Sequence, residues 1–261
     1  YYDVTYLLVI LGAVLSMIAS AQVNSTFKRY SRVRSSCGMT GEQVARDILD
    51  QNGLQRIKVS KTGSILLGNS YSHYFKKVRL RRLTWKKQSV TSLAMAAQKS
   101  ALAVLDKEND PDMQTRVRLT PVIYIGPLAF VPMVIIGALL DLYIFKTTNG
   151  MYTILLTAIA LVFYLLSFIM SIQVLKTEKK AQQRAYDIMK ENGMATDEEL
   201  AMCKKLFRLY NIEYINNMVI SLLELVYRVL QIIAYVQNAS STGRHACRCR
   251  VLHRRQACEF V

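Results

Sequence analysis

The chain has 261 residues, of which 52% are hydrophobic, and a formal net charge of +16. Its apolar residues come in long blocks, which excludes a single large soluble domain and indicates a helical membrane protein. Most Lys and Arg fall between Lys28 and Arg118 or between Lys176 and Arg208, in the intervals between apolar blocks, so an inside-positive topology accounts for the charge and nucleic acid is not an expected partner.

Tyr6 to Val23 is an apolar run of about the minimum length for crossing a hydrocarbon core of roughly 30 Å. It begins Tyr-Tyr-Asp and is followed by Lys28, Arg29, Arg32 and Arg34, the pattern of a retained anchor with its N-terminus outside. Thr40-Gly41-Glu42-Gln43 has capping-box spacing and opens a helix that Asn52-Gly53 closes. Two short strands are expected next, Arg56 to Ser60 and His73 to Leu83, separated by turn signals at Gly63 and Gly68-Asn69. The second carries Val78 and Leu80 among Lys76, Lys77, Arg79, Arg81 and Arg82; with Lys86 and Lys87 these form either the basic face of a half-buried strand or a patch for anionic lipid.

Ser89 to Leu105 reads as an Ala- and Leu-rich helix stopped by Lys107-Glu-Asn-Asp-Pro111. Thr120 to Phe145, with three prolines in its first half, and Met151 to Leu175 read as two spans joined by a tight connection. Glu178 to Glu191 is a polar helix ending at Asn192-Gly193, and Thr196-Asp-Glu-Glu199 caps another that runs into a fourth span, Ile212 to Val236. Within that span Glu224 and Arg228 are four apart and are expected to pair. The expected organisation is an anchor (1–23), a basic cytosolic α+β region (24–119), a transmembrane hairpin (120–175), a cytosolic helical segment (176–211), a fourth transmembrane helix (212–236) and a tail (237–261). In short, about four transmembrane helices carry a small α+β insertion between the first and second.

Cys37 and Cys203 stand alone and read as free thiols; Cys247, Cys249 and Cys258 crowd into the tail with His245 and His253, at spacings that match no zinc module. The five arginines of the tail would lie outside, against the positive-inside trend, so that segment reads as disordered or non-native. The chain has no Gly-x-Ser-x-Gly elbow, no phosphate-binding glycine loop and no dinucleotide fingerprint.

Several stretches together resemble a family of bacterial membrane-embedded neutral zinc metallopeptidases. They are Ser25-Thr26-Phe27-Lys28-Arg29-Tyr30-Ser31, Thr40-Gly41-Glu42-Gln43-Val44-Ala45-Arg46-Asp47-Ile48-Leu49 with Asn52-Gly53-Leu54, the Lys77-Val78-Arg79-Leu80 strand, the Ala96-Ala97 helix, and Glu178 with Arg184-Ala185. The resemblance covers roughly residues 1–236. It implies a zinc site built from His-Glu-x-x-His on one helix and a Glu on the helix after the third span, with the motif's own Glu acting on zinc-bound water. At the five motif positions this chain has Gln98, Lys99, Ser100, Ala101 and Leu102, and only the third-ligand position, Glu178, keeps its identity. Gln is a feeble zinc ligand, Leu is none, and an ammonium group repels the cation.

The resemblance therefore implies a catalytically silent relative in a bacterial plasma membrane, without the family's zinc. Its expected role is as a binding, scaffold or regulatory partner of another membrane protein, an active paralogue or a second copy of itself. Two alternatives are an enzyme with a non-standard metal site built from Glu178 and His73, and an anionic-lipid binder using Lys76 to Lys87.

Overall fold

The computed structural model describes the backbone of residues 2–63, 68–145 and 150–258, and their side chains except at 2–5, 8, 9, 121–127 and 232–258. In chain order the elements are α1 (Tyr2–Tyr30), α2 (Gly41–Gln51), β1 (Lys58–Thr62), β2 (Ser70–Ser72), β3 (Lys77–Arg81), α3 (Arg82–Lys86), α4 (Val90–Lys107), α5 (Pro111–Leu139), α6 (Met151–Glu191) and α7 (Asp197–Cys258). The chain divides into two compact units: Gly12–Ile123 with Phe168–Ile220, and Tyr1–Leu11 with Tyr124–Ser167 and Ser221–Val261.

The first of these is organised around α4. Ser89 caps it by accepting from the Ser92 amide at 3.3 Å, and nearly every residue from Val90 to Asp106 is buried. Ala94, Ala96, Ala97, Ala101 and Ala103 keep the helix thin, so α2 and the sheet close on it around Val44, Ile48, Leu49, Val78 and Leu80. Thr40 and Gln43 form the expected capping box at the start of α2. Asn52 and Gly53 end the helix, and the Lys107 ammonium donates to the Asn52 carbonyl at 2.6 Å. Gly41 permits the closest approach in this unit: a Cβ there would lie 2.1 Å from the Thr84 carbonyl oxygen of α3. Thr196 and Glu199 make the second expected capping box on α7, and Glu199 also accepts from Ser36, close in sequence to the start of α2.

The three-stranded sheet has the order β1-β3-β2, with β1 parallel and β2 antiparallel to β3. The single strand expected from His73 to Leu83 is in fact three structures. His73–Lys76 turns back, with Lys76 at φ +44; β3 follows; and α3 begins at Arg82, leaving Leu83 exposed. A continuous strand would have placed Leu83 on the face opposite Val78 and Leu80, where no core exists to take it.

Two helices are long and apolar enough to cross a membrane among the described residues, Ile10–Tyr30 and Met151–Glu191, and Leu128–Ile144 is a shorter apolar helix. The expected third span and the Glu178 helix form one element, α6, which runs unbroken for 41 residues. In the second unit α5 continues through Pro132 and widens into a π-turn at Leu140–Ile144. Asp141 in that turn accepts from the Thr153 amide at 2.7 Å and the Tyr152 amide at 3.2 Å, capping α6 from a distance. The connection expected at Lys146 to Gly150 lies largely outside the described residues.

Glu224 and Arg228 do not pair as expected. Glu224 accepts from the Tyr164 hydroxyl at 3.3 Å, and the Arg228 guanidinium stacks over the Phe130 ring at 4.3 Å. The aromatic face supplies the desolvated cation with a partner that a spacing argument does not reveal. In the tail the backbone stays helical to Cys258, where the composition suggested disorder; the Cys, His and Arg side chains there lie outside the described residues.

Gly41→Ala is expected to destabilise the protein by about 2 kcal/mol through overpacking against Thr84. Thermal unfolding in detergent would register this as a lowered midpoint, whereas Gly38→Ala, with nothing within 4 Å, isolates the backbone cost alone.

Candidate active-site cleft

Gln98 and Lys99 leave the buried body of α4 on the side facing α6, and both end on Glu178. The Gln98 amide donates to Glu178 Oε2 at 2.7 Å, and the Lys99 ammonium donates to the same oxygen at 2.8 Å. Arg116 of α5 donates to Oε1 at 2.8 Å. The Glu178 side chain is 15% exposed, and those of Lys99 and Arg116 are 13% and 19% exposed. Burial alone would raise the Glu178 pKa; the charges of Lys99 and then Arg116 outweigh it and pull the group down to about 2. The cluster carries two cations and one carboxylate.

Beside it lies a cleft of about 330 Å³, lined by Gln98, Lys99 and Glu178 together with Phe27, Met95, Arg81, Gln182, Tyr210 and Tyr214 among others. Its wall is mixed, with Phe27, Tyr210, Tyr214 and Met95 beside the polar Arg81, Gln98, Lys99, Glu178 and Gln182. Burial, then Glu213, pushes the Tyr210 hydroxyl up to about 12, so it remains a neutral donor. Leu102, one turn beyond Gln98, is 1% exposed and belongs to the core, so of the positions singled out in sequence the cleft gathers Gln98, Lys99 and Glu178 but not Leu102.

These side chains do not form a zinc donor set. Both Glu178 oxygens already accept from cations, the Gln98 amide nitrogen points at the same carboxylate, and Leu102 offers no lone pair. His73 does not join them. Its Nδ1 lies 2.7 Å from Asp106 Oδ2, which also accepts from the Tyr71 hydroxyl at 2.6 Å. Burial raises the Asp106 pKa, but hydrogen bonds from Tyr71 and His73 and the charges of His73 and Lys76 bring it below its ordinary value. Among the described residues no group of three His, Cys, Asp or Glu could hold a metal ion. The metal site expected as an alternative from Glu178 and His73 is therefore not assembled.

The basic patch is divided among several roles. Lys76 lies 3.6 Å from Asp106, the Arg79 guanidinium sits 5.6 Å from the Phe75 ring centre, and Arg81 stands in the cleft wall. Lys77 is half-buried, and Arg82, Lys86 and Lys87 are exposed around α3. Sequence reasoning missed Arg116 and Asp106. The available signal for Arg116 was a charge at the polar start of an otherwise apolar helix. Cys203 is buried, and burial followed by Glu199 pushes its thiol up to about 12, so it stays protonated.

A family profile described as "Putative neutral zinc metallopeptidase" matches residues 5–233. The chain is 28% identical over 220 residues to "Putative membrane protease YugP" of Bacillus subtilis (strain 168), covering 83% of this chain and 91% of that protein. No solved structure matches.

The depressed Glu178 pKa fixes a direction for acid stability. The carboxylate form is the stabilising one, so its contribution is whole above the ordinary value of 4.5 and is lost as pH falls towards about 2. Its size is about 3 kcal/mol. Unfolding midpoints measured across that window should fall for the native chain, and Glu178→Gln should make the slope shallower, leaving the share of Asp106, which is also held below its ordinary value.

Proposed function

Because this chain belongs to the neutral zinc metallopeptidase family, we propose that it is a membrane-embedded member in which an internal ion pair has replaced the metal, leaving a binding protein rather than a peptidase. The observation that carries this reading is the Lys99 ammonium 2.8 Å from Glu178, a fixed cation bound to the carboxylate that the family resemblance assigns to zinc. Charge balance supports it further: Arg116 holds the second oxygen, so a divalent ion arriving at Glu178 would face two positive charges at close range.

On this reading the chain crosses a bacterial plasma membrane four times with its N-terminus outside, and the cleft opens on the cytosolic side. The cleft then serves as a docking site without chemistry for a segment of another membrane protein, an active paralogue or a second copy. The aromatic residues of its wall and its fixed amides suit an extended chain bearing an apolar side chain.

Restoring the motif tests the proposal. The variant Gln98→His, Lys99→Glu, Leu102→His frees Glu178 from its ammonium partner and supplies two imidazoles at i and i+4. It is expected to gain about one tightly held zinc per chain, while the unaltered protein gains none and leaves an unfolded protein substrate intact. Chelator-sensitive cleavage by the unaltered protein would overturn the proposal.

A further inference from the structure

Six basic residues of α6 and α7 near one another in sequence differ in their partners. Lys176 pairs with Asp112 at 2.7 Å, Lys180 with Asp110 at 2.9 Å, and Arg184 with Glu108 at 2.9 Å. Lys179, Lys204 and Arg208 make no ion pair among the described residues, and all three are exposed along one groove between the two helices. The groove has a volume of about 450 Å³. Among the described residues its lining holds no carboxylate; of the acids close by in sequence, Glu178 is paired with Lys99, and Asp187 and Glu213 accept from the neutral Gln183 and Ser20. Gln182 and Asn211 close the inner wall by exchanging hydrogen bonds at 3.0 and 2.8 Å.

The same groove becomes apolar at one end. Lys204, Arg208, Ile212, Ile215 and Val219 follow one another at spacings of four, four, three and four, which places them on one face of α7. On α6, Ile172 and Lys179 are seven apart and also share a face. Ile172, Ile212, Ile215 and Val219 are 51%, 43%, 40% and 49% exposed. Cations thus stand at the head of an exposed apolar stripe, and α6 is one of the helices long enough to cross a membrane.

We infer that this groove binds an anionic phospholipid, with its phosphodiester among Lys179, Lys204 and Arg208 and its acyl chains along Ile172, Ile212, Ile215 and Val219. Three cations with no carboxylate opposite them call for an anion, and the adjoining aliphatic stripe calls for one that carries a long apolar body. A soluble phosphate compound would use the first feature and leave the second in water. Gln182 and Asn211 line both the groove and the cleft, but none of the three cations pairs with Glu178.

The test uses the full chain in detergent micelles, with native mass spectrometry reading adducts of phosphatidylglycerol or of phosphatidylcholine with the same acyl chains. The protein is expected to retain phosphatidylglycerol in clear preference. Replacing Lys179, Lys204 and Arg208 by Gln should lower that affinity about fivefold per cation, roughly a hundredfold together. Lys204→Arg, which keeps the charge, should bind as the unaltered protein does, and so should Lys86→Gln with Lys87→Gln. Equal retention of the two lipids would overturn the inference. So would undiminished binding by the triple variant, equal loss in the Lys86 and Lys87 variant, or displacement of the lipid by inorganic phosphate but not by chloride of the same ionic strength.

Discussion

A carboxylate withdrawn from water has to be matched by positive charge, and in this protein Glu178 takes its match from within the chain. Lys99 and Arg116 reach it from two other helices, so three elements meet at one pair of oxygens. The geometry depends on α4 being buried almost to its end. Its alanines let α2 and the sheet come close, which fixes the helix rotation and turns Gln98 and Lys99 towards α6. Removing one member of such a cluster leaves the others desolvated and unpaired, a loss larger than the net worth of the pair.

The same logic extends along α6. Its carboxylate at 178 is matched by Arg116, and its cations at 176, 180 and 184 are matched by Asp112, Asp110 and Glu108 around the start of α5. Charges left outside this pattern, such as Lys179, stand out because nearly all their neighbours are satisfied. The net charge of +16 is the excess of cations over carboxylates, because each paired cation is cancelled by its acid.

Much of the architecture was legible in the residues. Thr40 with Gln43 and Thr196 with Glu199 announced two helix starts, and Gly53 and Gly193 two stops, because capping depends only on neighbours in sequence. The apolar runs were legible in the same local way, whereas Gln98, Lys99 and Glu178 were singled out through a family resemblance, and the structure brings the three together. What escaped depends on tertiary partners. The pairing of Arg228 with Phe130 and of Glu224 with Tyr164 requires knowing which helix lies alongside. So does the capture of His73 by Asp106, which removes the chain's one histidine outside the tail from any role beside Glu178. The turn that ends the hairpin at Lys76 needs a positive φ that a lysine-rich run does not advertise.

The central claim is that Lys99 takes the place of a metal at Glu178, and metal content tests it most directly. Elemental mass spectrometry on the purified chain, with Glu178→Ala alongside, should find no stoichiometric zinc in either. About one zinc per chain in the unaltered protein, lost in Glu178→Ala, would contradict the claim and return the family's chemistry to this site.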